Sequence, residues 1–202
     1  MNTKNQYATF QRKLQRLSGW KLTAAAAAVT ERSWPNFALF AELADFGEPA
    51  DVRHSLNMLW DHVAGHQSAK NFERLLEKLE PNVPDLDEFD MFGAIPAHDA
   101  VVSLICAVNC AMTPSSDETA SALTLSLSTV GKFIKYTEAD ELKGTELSQY
   151  IEQSEAYLQQ QGFIEEVLKI LEQQKKQNPE FMMQLRRLSQ NEGVSQLGIS
   201  LE

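Results

Sequence analysis

The chain is poor in cysteine and contains no long apolar run. Its two cysteines, Cys106 and Cys110, lack a second pair or a histidine close by in sequence, so they do not indicate a zinc site. No stretch approaches the roughly 20 apolar residues of a membrane span. The alanine-rich segment 22–29 is too short and too weakly apolar for a signal peptide. We therefore expect two small buried thiols in a cytoplasmic protein that does not enter a membrane.

The sequence also lacks the common motifs of catalytic and metal-binding sites. It has no Gly-rich phosphate loop and no Gly-x-Ser-x-Gly elbow. His62 and His66 stand four residues apart, but "HVAGH" lacks the glutamate of a His-Glu-x-x-His zinc hydrolase. A calcium loop starting at Asp85 would need glycine at Asp90 and glutamate at Pro96. These absences predict no bound metal or cofactor and favour a protein without catalytic activity.

Charge is distributed unevenly along the chain, whose net charge is −10. Residues 79–131 contain eight acidic residues and no Lys or Arg. Residues 1–30 contain no acid but have five basic residues, Lys4, Arg12, Lys13, Arg16 and Lys21. Because an acidic protein repels phosphate backbones, nucleic acid is a poor default partner. The two regions could attract each other within one chain or across a dimer, although solvated helix faces are the simpler interpretation.

Apolar residues recur every three or four positions through most of the sequence, beginning with Tyr7 and Phe10. This spacing is typical of helices that bury one face, and no run of alternating Val, Ile or Thr predicts a sheet. We expect residues 1–202 to form a single compact all-α bundle of about eight or nine helices. The expected exceptions are an irregular acidic and aromatic segment near 81–96 and a packed or extended tail at 193–202.

The alanine-rich segment should lie in a helix from Trp20 to about Ser33, because alanine loses no side-chain entropy in a helix. Pro35 then either starts a new helix or kinks a continuing one. The apolar side chains that follow are expected to face inward: Phe37, Phe40, Leu43 and Phe46.

Three polar residues are predicted to cap helices. Ser68 precedes "AKNFERLLEKLE", Ser115 opens the capping-box sequence "SSDE", and Asn178 precedes a proline and an acid typical of a first turn. Between the last two caps, one helix is expected from about Thr145 to Lys176.

The C-terminal stretch "LSQNEGVSQLGISLE" has the spacing of a helix-turn-helix motif. A recognition helix would begin near Ser195, but the chain ends seven residues later. No Lys or Arg follows Arg187, so nothing cationic could position such a helix on phosphates. A packed or strand-like tail is predicted instead.

Four separated stretches occur in an order that resembles a known family: "ERSWPNFALF", "NFERLLEKLE", "DEFDMFGAIPAHDA" and "GVSQLGI". Together they resemble the YjaG-like family of bacterial proteins, a domain of unknown function numbered 416. The resemblance implies a bacterial, cytosolic, all-helical protein and implies no activity. The matching positions are Glu31, Arg32, Pro35, Asn36, Phe89, Asp90, Gly93, Pro96 and Asp99.

Three functions remain open on the sequence. The first is an interaction or regulatory module, either monomeric or a homodimer, that binds a protein partner through a surface shared by "RSWPNF" and "DEFDMFG". The second is a ligand-binding or metal-binding protein, or an enzyme, that uses a cluster of four carboxylates, Glu31, Asp87, Asp90 and Asp99. The third is DNA association through the basic first helix. Candidate residues for the first two are Glu31, Arg32, Trp34, Asn36, Asp87, Phe89, Asp90, Phe92 and Asp99.

Overall fold

The structure, a computed structural model, describes residues 3–201, so residues 1, 2 and 202 of the expected domain lie outside it. The described residues form nine α-helices and no strand, which confirms the predicted all-α class. The helices are α1 Thr3–Leu14, α2 Trp20–Ala44, α3 Pro49–Val63, α4 Glu73–Leu79, α5 Ala94–Met112, α6 Ser116–Glu138, α7 Gly144–Gln153, α8 Glu155–Gln173 and α9 Pro179–Gln190. Short 3₁₀ turns follow α4 and α9.

Helix α5 lies at the centre, packed against α2, α3, α4 and α6. Among the described residues, α5 is also the one helix that is long enough and apolar enough to cross a membrane, judged by length and composition alone. The expectation that no stretch approaches a membrane span was therefore too strong. That test is weak evidence for a membrane, because the central helix of a packed core passes it too, and 67% of the apolar window is buried here.

Helices α2 and α5 pack closely because both present small side chains to each other. The Thr23 hydroxyl lies 3.5 Å from the Cys110 sulfur, and the Thr30 and Ser103 hydroxyls lie 2.9 Å apart. In these two contacts the residue number on α5 falls as the residue number on α2 rises, so the two helices run antiparallel. The alanines at 24–28 between these contacts are fully buried.

The two cysteines are free and buried, as expected. Burial raises the pKa of the Cys106 thiol to about 12, and the nearby Glu118 carboxylate adds to the shift. At pH 8 only about one Cys106 in 10⁴ would then be a thiolate, the form that reacts.

We therefore expect the native protein to resist Ellman's reagent at pH 8, while protein unfolded in urea reacts at both cysteines. Absorbance at 412 nm measures the labelling, and a Cys106→Ser variant assigns any native reaction to one thiol. Rapid labelling of Cys106 before urea is added would contradict the burial described above.

Several boundaries differ from those expected. Pro35 lies inside a continuous α2, where its ring removes only the hydrogen bond to the carbonyl of Glu31. Leu43 is 68% exposed rather than inward-facing, so the bundle leaves its side of α2 uncovered, whereas Phe40 and Ala41 beside it are buried. Ser68 caps no helix: α4 begins later and has no side-chain cap. The helix expected over 145–176 is two helices, because Ser154 adopts an extended backbone and caps α8 through its hydroxyl.

The other two predicted caps are confirmed. The Ser115 hydroxyl accepts hydrogen bonds from the backbone N–H groups of Asp117 and Glu118, at 3.2 and 3.3 Å. The Asn178 side-chain oxygen accepts from Glu180 and Phe181 at the start of α9. Each cap satisfies N–H groups that have no partner inside the helix, which fixes where the helix begins.

The C-terminal tail does not form a recognition helix, as predicted. After α9 the chain makes a single antiparallel bridge between Val194 and Ser200. The buried Ser195 closes this turn, because its hydroxyl accepts from the N–H groups of Leu197 and Ile199. The tail therefore packs as a tight turn against the bundle.

The basic first helix pairs with an acidic partner other than the one expected. Lys13 forms an ion pair of 2.9 Å with Glu165, and Arg16 lies 3.4 Å from Glu172, both on α8. From the 79–131 region, Asp117 accepts a hydrogen bond of 2.6 Å from the neutral Gln11 of α1. The attraction within one chain is therefore mainly between α1 and α8.

Candidate functional site

A buried carboxylate, Glu31, lies at the centre of a charged cluster formed by α2, α3 and α9. Its side chain is only 2% exposed. Arg53 approaches it with two nitrogens, at 2.8 and 3.1 Å. The Trp60 indole N–H donates to it at 2.6 Å, and the Gln190 amide donates at 3.3 Å. The two oxygens of Glu31 therefore receive four donated contacts from three side chains.

A second guanidinium, Arg186, completes the cluster from α9. It donates to the side-chain oxygen of Asn57, which also accepts from Arg53 at 2.9 Å. The buried Nε of Arg186 has no hydrogen-bond acceptor, and the nearest oxygen of Glu31 is 3.5 Å away. Burial lowers the pKa of Arg186, while the Glu31 carboxylate opposes that shift.

Three members of the cluster, Glu31, Arg53 and Gln190, line an open cleft of about 580 Å³, which we call the Trp34 cleft. The half-buried Trp34 indole forms one wall, with the Arg53 guanidinium 5.4 Å from its ring centre. The cleft is lined by Glu31, Trp34, Pro35, Arg53, Arg187, Gln190, Glu192, Gly193 and Leu201. It combines an aromatic face, two apolar residues and arginine side chains in one concave site, as ligand pockets commonly do.

The neighbouring candidates contact the C-terminal part of the chain, Arg32 at the end of α9 and Asn36 in the tail. Arg32 donates to the backbone carbonyls of Leu188 and Ser189 at the end of α9, at 2.7 and 3.2 Å, and stacks on a phenyl ring of α8. Burial lowers the pKa of Arg32 to about 10. Asn36 donates to the side chain of Gln196 in the tail. Both residues therefore have structural partners.

Asp99 lies in a separate polar cluster on α5. One of its oxygens accepts from the Thr129 hydroxyl at 2.7 Å and from the Lys132 ammonium at 2.8 Å. Its other oxygen lies 3.4 Å from the His98 ring. Asp99 is thus paired with α6 and not with Glu31.

The aromatic candidates anchor the irregular segment at two places. Phe89 makes edge contacts with Phe40 and Phe46 at the end of α2, with ring centres 5.0 and 5.4 Å apart. Phe92 instead stacks on Tyr136 of α6 at 4.4 Å. Trp34 contacts Phe37 and Arg53, so "RSWPNF" and "DEFDMFG" contribute to different surfaces.

The proposed carboxylate cluster does not form a metal site. Asp87 and Asp90 are exposed, whereas Glu31 and Asp99 are buried against different basic partners. Within residues 3–201, no three His, Cys, Asp or Glu side chains are grouped so that they could hold a metal ion.

A second surface surrounds the point where Phe89 packs on the end of α2. The two segments that this contact joins expose three large apolar side chains, Leu43 at 68%, Leu86 at 42% and Met91 at 43%. Only acidic charges accompany them on these segments: Glu42, Asp45, Asp85, Asp87, Glu88 and Asp90. We call these nine residues the acidic apolar surface.

Sequence and structure comparisons show what the chain is similar to over most of its length. The family described as "Protein of unknown function (DUF416)" matches residues 9–200. The chain is 28% identical to Uncharacterized protein YjaG of Escherichia coli K12, over 93% of this chain and 94% of that protein. It is 29% identical to an uncharacterized protein of Haemophilus influenzae, over 93% and 95%. A crystal structure of a DUF416 family protein from Shewanella baltica OS155 matches with a TM-score of 0.85 and 28% identity, covering 95% of this chain and 98% of that one.

Proposed function

The chain belongs to the DUF416 family, and we propose that it is a cytoplasmic interaction module whose acidic apolar surface binds a protein partner. The observation that carries the proposal is the exposure of Leu43, Leu86 and Met91 on two segments whose exposed charges are all acidic. Large apolar side chains grouped on a surface and rimmed by polar residues are typical of protein-binding sites. The two free cysteines support a reducing compartment.

Charge decides the kind of partner. The α2–α3 region from 33 to 52 and the region from 79 to 131 contain no Lys or Arg, so the surface has a uniformly negative potential. Such a potential attracts cationic partners and repels acidic ones, including nucleic acid. The partner is therefore a segment that interleaves Lys or Arg with apolar side chains, as an amphipathic basic helix does.

The surface rests on a rigid base. Phe40, Phe46 and Phe89 form a three-ring cluster beneath it, and Phe40 is 2% exposed. Gly93 lies beside the same cluster, since a Cβ atom added to it would be 3.8 Å from the Phe40 ring. Because the backbone below is fixed, exposed side chains can be replaced without disturbing the core.

We expect a synthetic helical peptide of Lys and Leu to bind the protein, and a Leu43→Ser/Met91→Ser variant to bind it at least about tenfold more weakly, because apolar anchors dominate such interfaces. Fluorescence anisotropy of the labelled peptide measures the affinity. Raising the salt concentration should also weaken binding, because the acidic rim is exposed.

Two controls separate this surface from general acidity. A Leu158→Ser variant removes an apolar side chain that is 52% exposed on α8 and should bind the peptide like the wild type. A matched Glu and Leu peptide should not bind. Equal weakening by Leu158→Ser would overturn the proposal, and so would a wild-type dimer that Leu43→Ser converts to monomer in native mass spectrometry, because the partner would then be a second copy.

A further inference from the structure

We infer that the Trp34 cleft binds a small organic anion, a carboxylate or phosphate monoester attached to a planar group. The cleft is separate from the acidic apolar surface, so the inference does not depend on the proposed protein partner. Its volume of about 580 Å³ lies within the range of roughly 300–1,000 Å³ that small-molecule sites occupy.

The charge at the floor of the cleft is positive in excess of its buried carboxylate. Glu31 is already neutralised by Arg53 and receives further donors from Trp60 and Gln190. That leaves two guanidinium groups against the single carboxylate of Glu192: the exposed Arg187, which lines the cleft, and Arg186, which lies behind the floor beside Glu31. Guanidinium groups bind carboxylate and phosphate oxygens through paired N–H donors, so an anion fits this side of the cleft.

The walls of the cleft determine the rest of the ligand. Trp34 is half-buried and presents an indole face, while Pro35 and Leu201 add apolar surface. Indole rings stack on planar groups and also attract cations such as the Arg53 guanidinium beside them. A planar group next to the anion would therefore contact Trp34 while its charged end reaches the arginines.

Stability alone does not explain why this floor is charged. A buried ion cluster costs desolvation energy, and apolar side chains of similar volume often give equal or greater stability. Glu31 also holds the two guanidinium groups in fixed positions through Asn57 and its own oxygens. A guanidinium group held in place at the floor of an open cleft, Arg53, with a second at its rim, Arg187, is the kind of preorganised arrangement that anion recognition requires.

Glu192 provides an internal test, because its exposed carboxylate also lines the cleft and should repel an anion. Arg187 should attract it. Neither side chain has a role in the buried cluster, so both can be changed without removing a core contact. The two substitutions are therefore expected to act in opposite directions on the same ligand.

Binding of phenyl phosphate and of benzoate is measured by titration, with tryptophan fluorescence and isothermal titration calorimetry as the two readouts. Inorganic phosphate and benzyl alcohol are the control probes, each of which lacks one half of the ligand. We expect both aromatic anions to bind more tightly than either control probe. Arg187→Gln should weaken binding about three- to tenfold, and Glu192→Gln should strengthen it about two- to fivefold. Which of the two aromatic anions binds better distinguishes a phosphate from a carboxylate ligand.

Arg74→Gln, a change of an exposed arginine on α4, is the matched control and should leave the affinity unchanged. A Trp34→Leu variant should lose the fluorescence change and bind more weakly. The inference is overturned if neither aromatic anion binds at millimolar concentration, if benzyl alcohol binds equally well, or if Glu192→Gln fails to strengthen binding.

Discussion

Replacing Glu31 by leucine is expected to lower the free energy of unfolding by about 3–5 kcal/mol, the cost of removing one partner from a buried ion cluster. The substitution would leave Arg53 and Arg186 without their shared carboxylate, and these side chains are only 25% and 26% exposed. It would also leave the Trp60 indole N–H, which donates to Glu31 at 2.6 Å, without an acceptor. Urea denaturation followed by circular dichroism measures the loss.

Two further variants make the result specific. Glu31→Gln keeps one oxygen acceptor for Trp60 or Arg53, so its loss should be smaller than that of Glu31→Leu. Glu42→Gln changes an exposed carboxylate on the same helix and should alter stability by no more than about 0.5 kcal/mol. A loss below about 1 kcal/mol for Glu31→Leu would mean that the arginines are rehydrated through the Trp34 cleft, and would contradict a tightly closed cluster.

Helix locations followed from sequence wherever a local signal set the boundary. The caps at Ser115 and Asn178 bind N–H groups two and three residues away, so the sequence contains the whole interaction. The family resemblance, read from four short stretches, is also confirmed. The two caps depend on residues that are close together in the chain, and the family resemblance depends on the order of its four stretches.

Boundaries set by tertiary packing could not be predicted in the same way. The break at Ser154 was also missed, although its cap is local: its hydroxyl accepts from the Tyr157 N–H, but no proline or glycine next to it marks the end of the preceding helix. Leu43 has the correct spacing to face inward, but whether a face is covered depends on how far the neighbouring helices extend. Pro35 left two alternatives, and packing of α2 selected the continuing helix.

The candidate site was found in part. Glu31 and Trp34 were identified from the sequence, and both belong to the Trp34 cleft. Their arginine partners were missed, because Arg53 and Arg186 lie 22 and 155 positions from Glu31 and occur in no motif. The one available signal was the burial of an acid in an alanine-rich helix. A buried carboxylate requires a basic partner, but its own position does not indicate where in the sequence that partner lies.

Substituting Ala27 with leucine should lower the free energy of unfolding by about 1–3 kcal/mol, because an extra isobutyl group has no space between α2 and α5. Thr23 and Thr30 mark the face of α2 that contacts α5, and Ala27 lies between them on that face, fully buried. The antiparallel register places this position opposite Cys106, next to Ala107, and Ala107 is also fully buried. Chemical denaturation gives the difference in stability.

The exposed Ala50 of α3 is the matched control, because the same substitution there adds the same atoms to solvent. Ala50→Leu should change stability by no more than about 0.5 kcal/mol. Ala27→Gly distinguishes overpacking from a general intolerance of change, since it should cost only about 1 kcal/mol for the lost helix propensity. If Ala27→Leu were as stable as the wild type, α2 and α5 would have room to separate, and the small side chains at their contact would not be what sets the spacing of the two central helices.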